Sequence, residues 1–158
     1  MQLSEKTGKW IMRFYPPLFF QRIWVKRIHK NFRGIDVKVN KSLLNINLNR
    51  SIFGGTLFSS TDPFYPFLLV QILKNQGYKN IITWIKSAEI DFKKPATENL
   101  TFTIQISDSV IEEIKNTLEN EGKYINKFEI ELKNEEGEVC AVSIPEVYIK
   151  NLDFNIVY

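Results

Sequence analysis

The side chains that usually carry chemistry are scarce in this 158-residue chain, which has one histidine, His29, and one cysteine, Cys140. A lone cysteine cannot close an internal disulfide, and a lone imidazole excludes multi-histidine metal sites and weakens any histidine-based catalytic arrangement. No metal and no cofactor are expected. Any catalysis must then rest on a carboxylate and on backbone amides. Two short motifs offer those groups. Gly54-Gly55 precedes a long apolar stretch that runs to Gly77; at a helix start, glycines let a ligand approach the backbone, and the first N–H groups are free to bind an anion. Asp62 follows, joined to Pro63. That dipeptide also reads as a helix start, with aspartate as N-cap and proline at the first helical position.

Charge is distributed unevenly. Residues 1–50 contain eleven Lys or Arg against Glu5 and Asp36, while residues 51–158 contain ten basic and sixteen acidic side chains, so a formal +3 combines about +9 and about −6. The basic part is also aromatic: Trp10, Phe14, Tyr15, Phe20 and Trp24 lie among Lys9, Arg13, Arg22 and Lys26. Such a mixture suits phosphates, anionic lipid headgroups or an acidic protein, and equally a cationic solvent face with no partner. No nucleic-acid recognition motif accompanies it. The start lacks signal-peptide order and no apolar run spans a bilayer, so a single cytoplasmic domain is expected.

Periodicity supplies the elements that must position these residues. Trp10, Ile11, Phe14 and Tyr15 share one face of a helix over Gly8–Tyr15, stopped by Pro16-Pro17. Arg22–Phe32 and 35–39 read as strands. The alternation of Leu44, Ile46 and Leu48 with three asparagines predicts another. The apolar stretch to Gly77 reads as a buried helix, bent or delayed by Pro63 and Pro66. Four long strands follow, over Asn80–Lys94, Glu98–Ile106, Tyr124–Lys133 and Glu138–Lys150. In the first, Ile82, Trp84, Ala88 and Ile90 share a face interrupted by Lys86. In the last, Pro145 implies an edge or a bulge. A short helix near 109–121 carries a Ser109/Glu112 capping box and an Ile111, Ile114, Leu118 stripe. A single apolar helix among antiparallel strands is best buried by a sheet that curls around it, an α+β arrangement. One domain spans 1–158, with an N-terminal helical segment at 1–20 and a tail at 151–158.

Phe53-Gly54-Gly55-Thr56 with Asp62-Pro63, the strand Ala88–Pro95 and Asn47 resemble the hotdog-fold thioesterases, in particular the phenylacetate-degradation type and an uncharacterised branch beside it. The resemblance covers roughly residues 20–150 and implies a curved antiparallel sheet around one long central helix. It implies that Gly54 and Gly55 polarise a thioester carbonyl and that Asp62 acts as general base or nucleophile. Asn47 would stand near the carbonyl or the attacking water. About 12 Å of straight helix would separate Asp62 from Gly54, which suits a carboxylate supplied across a dimer. Two positions depart from the family: Phe53 replaces a histidine, and Ile85 stands near a usual hydroxyl, with Thr83 and Ser87 displaced from it.

The implied activity is hydrolysis of acyl thioesters carried on coenzyme A or acyl carrier protein. Phe53, Thr56, Phe58 and Trp84 would line the acyl pocket. Lys86 would either meet an anionic ligand there or snorkel outward. The implied assembly is a homodimer or a dimer of dimers, and the basic N-terminal segment suits an anionic membrane surface. The alternative is a non-catalytic module that binds an acyl chain or lipid, or serves as an assembly partner.

Overall fold

A computed structural model describes residues 3–154. The N-terminal segment folds as two helices, α1 (Glu5–Phe14) and α2 (Pro16–Phe20). Helix α1 starts earlier than its apolar spacing implies because Ser4 caps it, accepting from the Thr7 N–H at 3.1 Å. Gly8 lies inside it, at a close approach: a Cβ there would stand 3.1 Å from the Phe67 ring and 3.3 Å from Ile28 and Phe32. The prolines that end α1 begin α2, where their fixed φ suits a first turn.

Strands β1 (Ile23–Ile28) and β2 (Gly34–Val39) pair through a 3-10 turn at Lys30–Phe32. The central helix comes in two pieces, α3 (Gly54–Ser59) and α4 (Phe64–Asn75), broken at 60–63 where Pro63 precedes the second piece. There follow β3 (Ile81–Phe92), β4 (Leu100–Gln105), α5 (Asp108–Glu121), β5 (Lys123–Lys127), β6 (Ile130–Lys133) and β7 (Val139–Asn151). The sheet is antiparallel throughout, ordered β1-β2-β4-β6-β7-β3, with β5 continuing beside β7 beyond β6. Strands β1 and β3 end this order, and β5 pairs with β7 alone among the described residues. Phe64, Leu68, Leu69 and Leu73 of α4 are buried in one core with Ile35, Leu100, Ile104 and Ile149 of the sheet. No helix among the described residues is long and apolar enough to cross a membrane.

Several local expectations change. The 44–48 segment is a loop with one isolated bridge, Ile46 to Ile52, and its polarity is inverted: Asn45 is buried while Leu44 and Leu48 are exposed. Asn45 captures the backbone that a ladder would need. Its Nδ2 donates to the carbonyls of Gln21 (2.8 Å) and Asn40 (2.9 Å), and its Oδ1 accepts from the Ser42 N–H (2.9 Å). A bulge between Ile85 and Ser87 shifts the phase of β3, so Ile82 and Trp84 face outward while Ala88 and Ile90 are partly buried.

Tyr124–Lys133 is two strands rather than one. Pro145 lies in the interior strand β7, and its carbonyl accepts from the Phe128 N–H at 3.0 Å. Its missing N–H therefore falls on that same side, where the ladder divides into β5 and β6. The cap of α5 is Ser107, not Ser109, accepting from the Val110 N–H at 3.3 Å, whereas the stripe Ile111, Ile114, Leu118 is buried as expected. His29 is not a free surface residue; it pairs with Asp36 at 3.0 Å. Of the tail, Asn151 ends β7 and residues 155–158 lie outside the described residues.

Candidate functional site

At the start of α3, Phe53 leaves helical geometry (φ −59°, ψ 132°) and offers no side-chain cap. Its carbonyl accepts from the N–H groups of Thr56 (2.9 Å) and Leu57 (3.3 Å), while those of Gly54 and Gly55 have no partner among the described residues. This is the ordinary shortfall of a helix N-terminus, left uncapped here. Aromatic rings take the space beside both glycines. A Cβ on Gly54 would stand 3.1 Å from Phe92, and one on Gly55 would collide with the Phe53 ring at 2.4 Å.

A cavity of about 370 Å³ opens against this turn, lined by Asn47, Ser51, Gly54, Leu57, Phe92 and Lys93, with Lys94, Pro95 and Ala96 at its side. Asn47 shapes it rather than reaching into it with free polar atoms. Its Nδ2 donates to the Ser51 hydroxyl (2.8 Å), and its Oδ1 accepts from the N–H groups of Asn49 (2.9 Å) and Ser51 (3.2 Å). These bonds hold a tight loop in which Arg50 takes the left-handed conformation, φ 58°, at a cost of about 1–2 kcal/mol. Lys94 at the rim is ion-paired with Glu138 at 2.6 Å, and Lys93 pairs with Asp91.

Asp62 sits in the break between α3 and α4. It caps neither piece, since Pro63 is the N-cap of α4 and no side chain bonds there. Although the residue is exposed, surrounding chain desolvates its carboxyl and raises its pKa above the usual carboxylate value. Its neighbour fixes the turn: Thr61 Oγ1 donates to the Phe58 carbonyl (2.9 Å), so the Ser143 hydroxyl donates to Thr61 at 2.8 Å. Ser143 pairs with Ile90 of β3 across the ladder, which places this turn under the β3 edge of the sheet.

The structure brings Asn47 and Gly54 to one cavity, with Gly55 and Phe53 beside it. Phe58 is exposed and Thr56 is buried. Trp84 lies on the outer face of the sheet, stacked on Tyr148 with ring centroids 4.3 Å apart. Lys86 projects outward at the β3 bulge and pairs with Glu146 at 3.5 Å. Neither Trp84 nor Lys86 lines the cavity, because the bulge turns this part of β3 to the opposite face. Sequence reasoning missed Ser51, Leu57 and the β3 end Phe92-Lys93-Lys94 as cavity walls. The signal available for that end was the run Phe92–Pro95 itself, a strand stopped by proline.

The same architecture occurs in solved structures. A protein of unknown function from Pseudomonas aeruginosa, described as a probable thioesterase, shares 16% identity, with 95% of this chain and 97% of that chain covered at a TM-score of 0.83. A thioesterase from Haemophilus influenzae shares 10%, with 99% and 97% covered and a TM-score of 0.69. The E. coli PaaI protein of the phenylacetic acid degradation operon shares 15%, with 89% and 90% covered and a TM-score of 0.61. The curved sheet around a central helix thus defines a hotdog-fold protein. No curated protein matches the chain in sequence. Residues 6–148 match the family described as a domain of unknown function (DUF4442), and the chain belongs to it.

Proposed function

We propose that this hotdog protein hydrolyses acyl thioesters carried on coenzyme A or an acyl carrier protein. The observation that carries the reading is the uncapped helix start at Gly54-Gly55, whose two N–H groups have no partner among the described residues, beside a cavity of about 370 Å³ with walls of mixed polarity and a lysine rim. Such donors match the charge that develops on a carbonyl oxygen during acyl transfer. Leu57, Ile52, Phe92 and Phe53 would meet the acyl group, and Lys93 and Lys94 the phosphates of the carrier. Asn47 holds the loop that forms the wall. Asp62, unpaired and with a raised pKa, is the general base or nucleophile. Structural neighbours described as thioesterases support the same reading.

No side-chain bond to Asp62 occurs among the described residues, and the turn that bears it lies under the β3 edge. That supports an active site completed by a second copy. Strand β3 is twelve residues long and, among the described residues, pairs with β7 alone, and an edge of that length is a template for strand pairing. The assembly proposed is a homodimer built on β3, or a pair of such dimers, working in the cytoplasm.

Purified protein should release free thiol from short, long or aryl acyl-coenzyme A, and Asp62→Ala should lower kcat by about 100-fold or more. Inactivity of the unaltered protein on every chain would favour a second reading. In that reading the module binds an acyl chain or lipid without hydrolysis, or serves in an assembly. The aromatic cover that Phe53 and Phe92 place over the glycines favours it, and acyl chains retained on the purified protein would support it.

A further inference from the structure

Among the described residues, eight of the fifteen exposed large hydrophobic side chains fall within the first 48 positions. Helix α1 carries three of them. At about 100° per residue, Met12 and Gly8 turn to the core, whereas Trp10, Phe14 and Ile11 form an outward stripe, 44%, 61% and 53% exposed. Burying the opposite face leaves the aromatic face without a protein partner. The stripe continues along the chain, with the Phe14 ring tilted against Phe19 (5.9 Å) and Phe19 edge-on to Phe20 (5.6 Å), which is 65% exposed. Asn45 then ties the loop bearing exposed Leu43, Leu44 and Leu48 to the carbonyl of Gln21, the residue after Phe20.

Cations border this apolar surface. Lys6, Lys9 and Arg13 line one side of the α1 stripe, with Lys9 and Arg13 over the Trp10 ring at 5.3 and 5.5 Å. Lys26 and Arg27 project from the adjoining edge strand β1. None of these five forms an ion pair among the described residues, although Lys and Arg elsewhere in the chain do so repeatedly. Exposed Trp, Tyr and Phe beside unpaired Lys and Arg is the composition of a helix that lies in a membrane interface.

We propose that α1, α2 and the 43–48 loop dock this protein on an anionic lipid bilayer, with the aromatic and leucine side chains in the interfacial layer and the flanking cations on the headgroups. Charge complementarity together with the exposed aromatic and leucine side chains selects this occupant. A symmetric second copy would bring the same unpaired cations face to face, and a neutral surface would leave them without counter-charge. The loop that inserts Leu44 and Leu48 also carries Asn47 of the cavity wall, so docking holds the cavity near the membrane surface.

Flotation of the full chain with vesicles of pure phosphatidylcholine, and of phosphatidylcholine mixed with phosphatidylglycerol, tests the proposal without any assay of activity. Binding to the anionic vesicles is expected to exceed binding to neutral ones by at least about tenfold and to fall with salt. Phe14→Ser with Phe20→Ser, and separately Leu44→Ser with Leu48→Ser, should weaken it at unchanged thermal midpoint. Lys6→Glu with Lys9→Glu should weaken it on the order of 100-fold. Equal binding to both vesicle types, no flotation with either, or indifference to all three double variants would overturn it. So would a change of oligomeric state caused by Phe14→Ser with Phe20→Ser, which would assign the face to a second copy. A failed flotation leaves the thioesterase reading untouched, because the two have separate readouts.

Discussion

Asp62 carries more of the functional argument than any other side chain, and its energetics give it a signature apart from activity. Desolvation raises its pKa, so the folded protein holds that proton more tightly than the unfolded chain does. The resulting stabilisation is complete below the ordinary carboxylate value of 3.8 and is lost as pH rises through the raised value. At neutral pH the ionised carboxylate therefore detracts from stability. Asp62→Asn should raise the thermal midpoint slightly at pH 7, with the difference vanishing in acid below that ordinary value, while thioester hydrolysis is lost. A lower midpoint at pH 7 would mean that the carboxylate has a stabilising partner and is structural. Asparagines 45 and 47 teach the converse. Asn45 is consumed by backbone groups, and Asn47 by the Asn49 and Ser51 N–H groups and the Ser51 hydroxyl, so Asn47 shapes the cavity with both its polar atoms already bonded.

At the scale of elements, the turn between α3 and α4 is held by one buried hydroxyl pair. Because Thr61 donates to Phe58, it can only accept from Ser143. Ser143→Ala removes a donor and leaves Thr61 still bonded, which should cost about 1 kcal/mol. Thr61→Val strands the fully buried Ser143 hydroxyl and should cost about 1–3 kcal/mol. Denaturant unfolding of both variants checks that order, and turnover should fall with Thr61→Val as the Asp62 turn loosens. The same attention to donors explains Pro145. Its tolerated place inside β7 is a position where one neighbouring ladder is already split, so no bond is missing.

For the whole molecule, the proposed assembly rests on the β3 edge. Pro145 directs its carbonyl toward β5 and β6, so Ala88, its partner in β3, directs its own N–H and carbonyl to the free edge. Proline at Ala88 would remove an edge donor without breaking a bond to β7. Light scattering should find the unaltered protein at twice the monomer mass, or four times for a pair of dimers, and Ala88→Pro at half that mass with a similar thermal midpoint. A monomeric unaltered protein would sink both the dimer and the shared active site. Lipid docking uses the opposite edge of the sheet, near β1, so the two surfaces are compatible.

Residue types and spacing alone determined the central helix, the strand-rich remainder, the α5 stripe and the separation of a basic aromatic third from an acidic body. Apolar periodicity and turn residues encode those locally. Tertiary structure decided the rest. Leu44, Ile46 and Leu48 have a strand's alternation, but Asn45 finds the carbonyls of Gln21 and Asn40 only in the folded chain. Trp84 and Ile90 share a phase in the sequence, and one bulged residue sends them to opposite faces. Trp10, Ile11 and Phe14 read as an ordinary apolar helix face. Only the packing of Gly8 and Met12 against the core turns that face outward, because periodicity marks which residues go together and not which side the core will take.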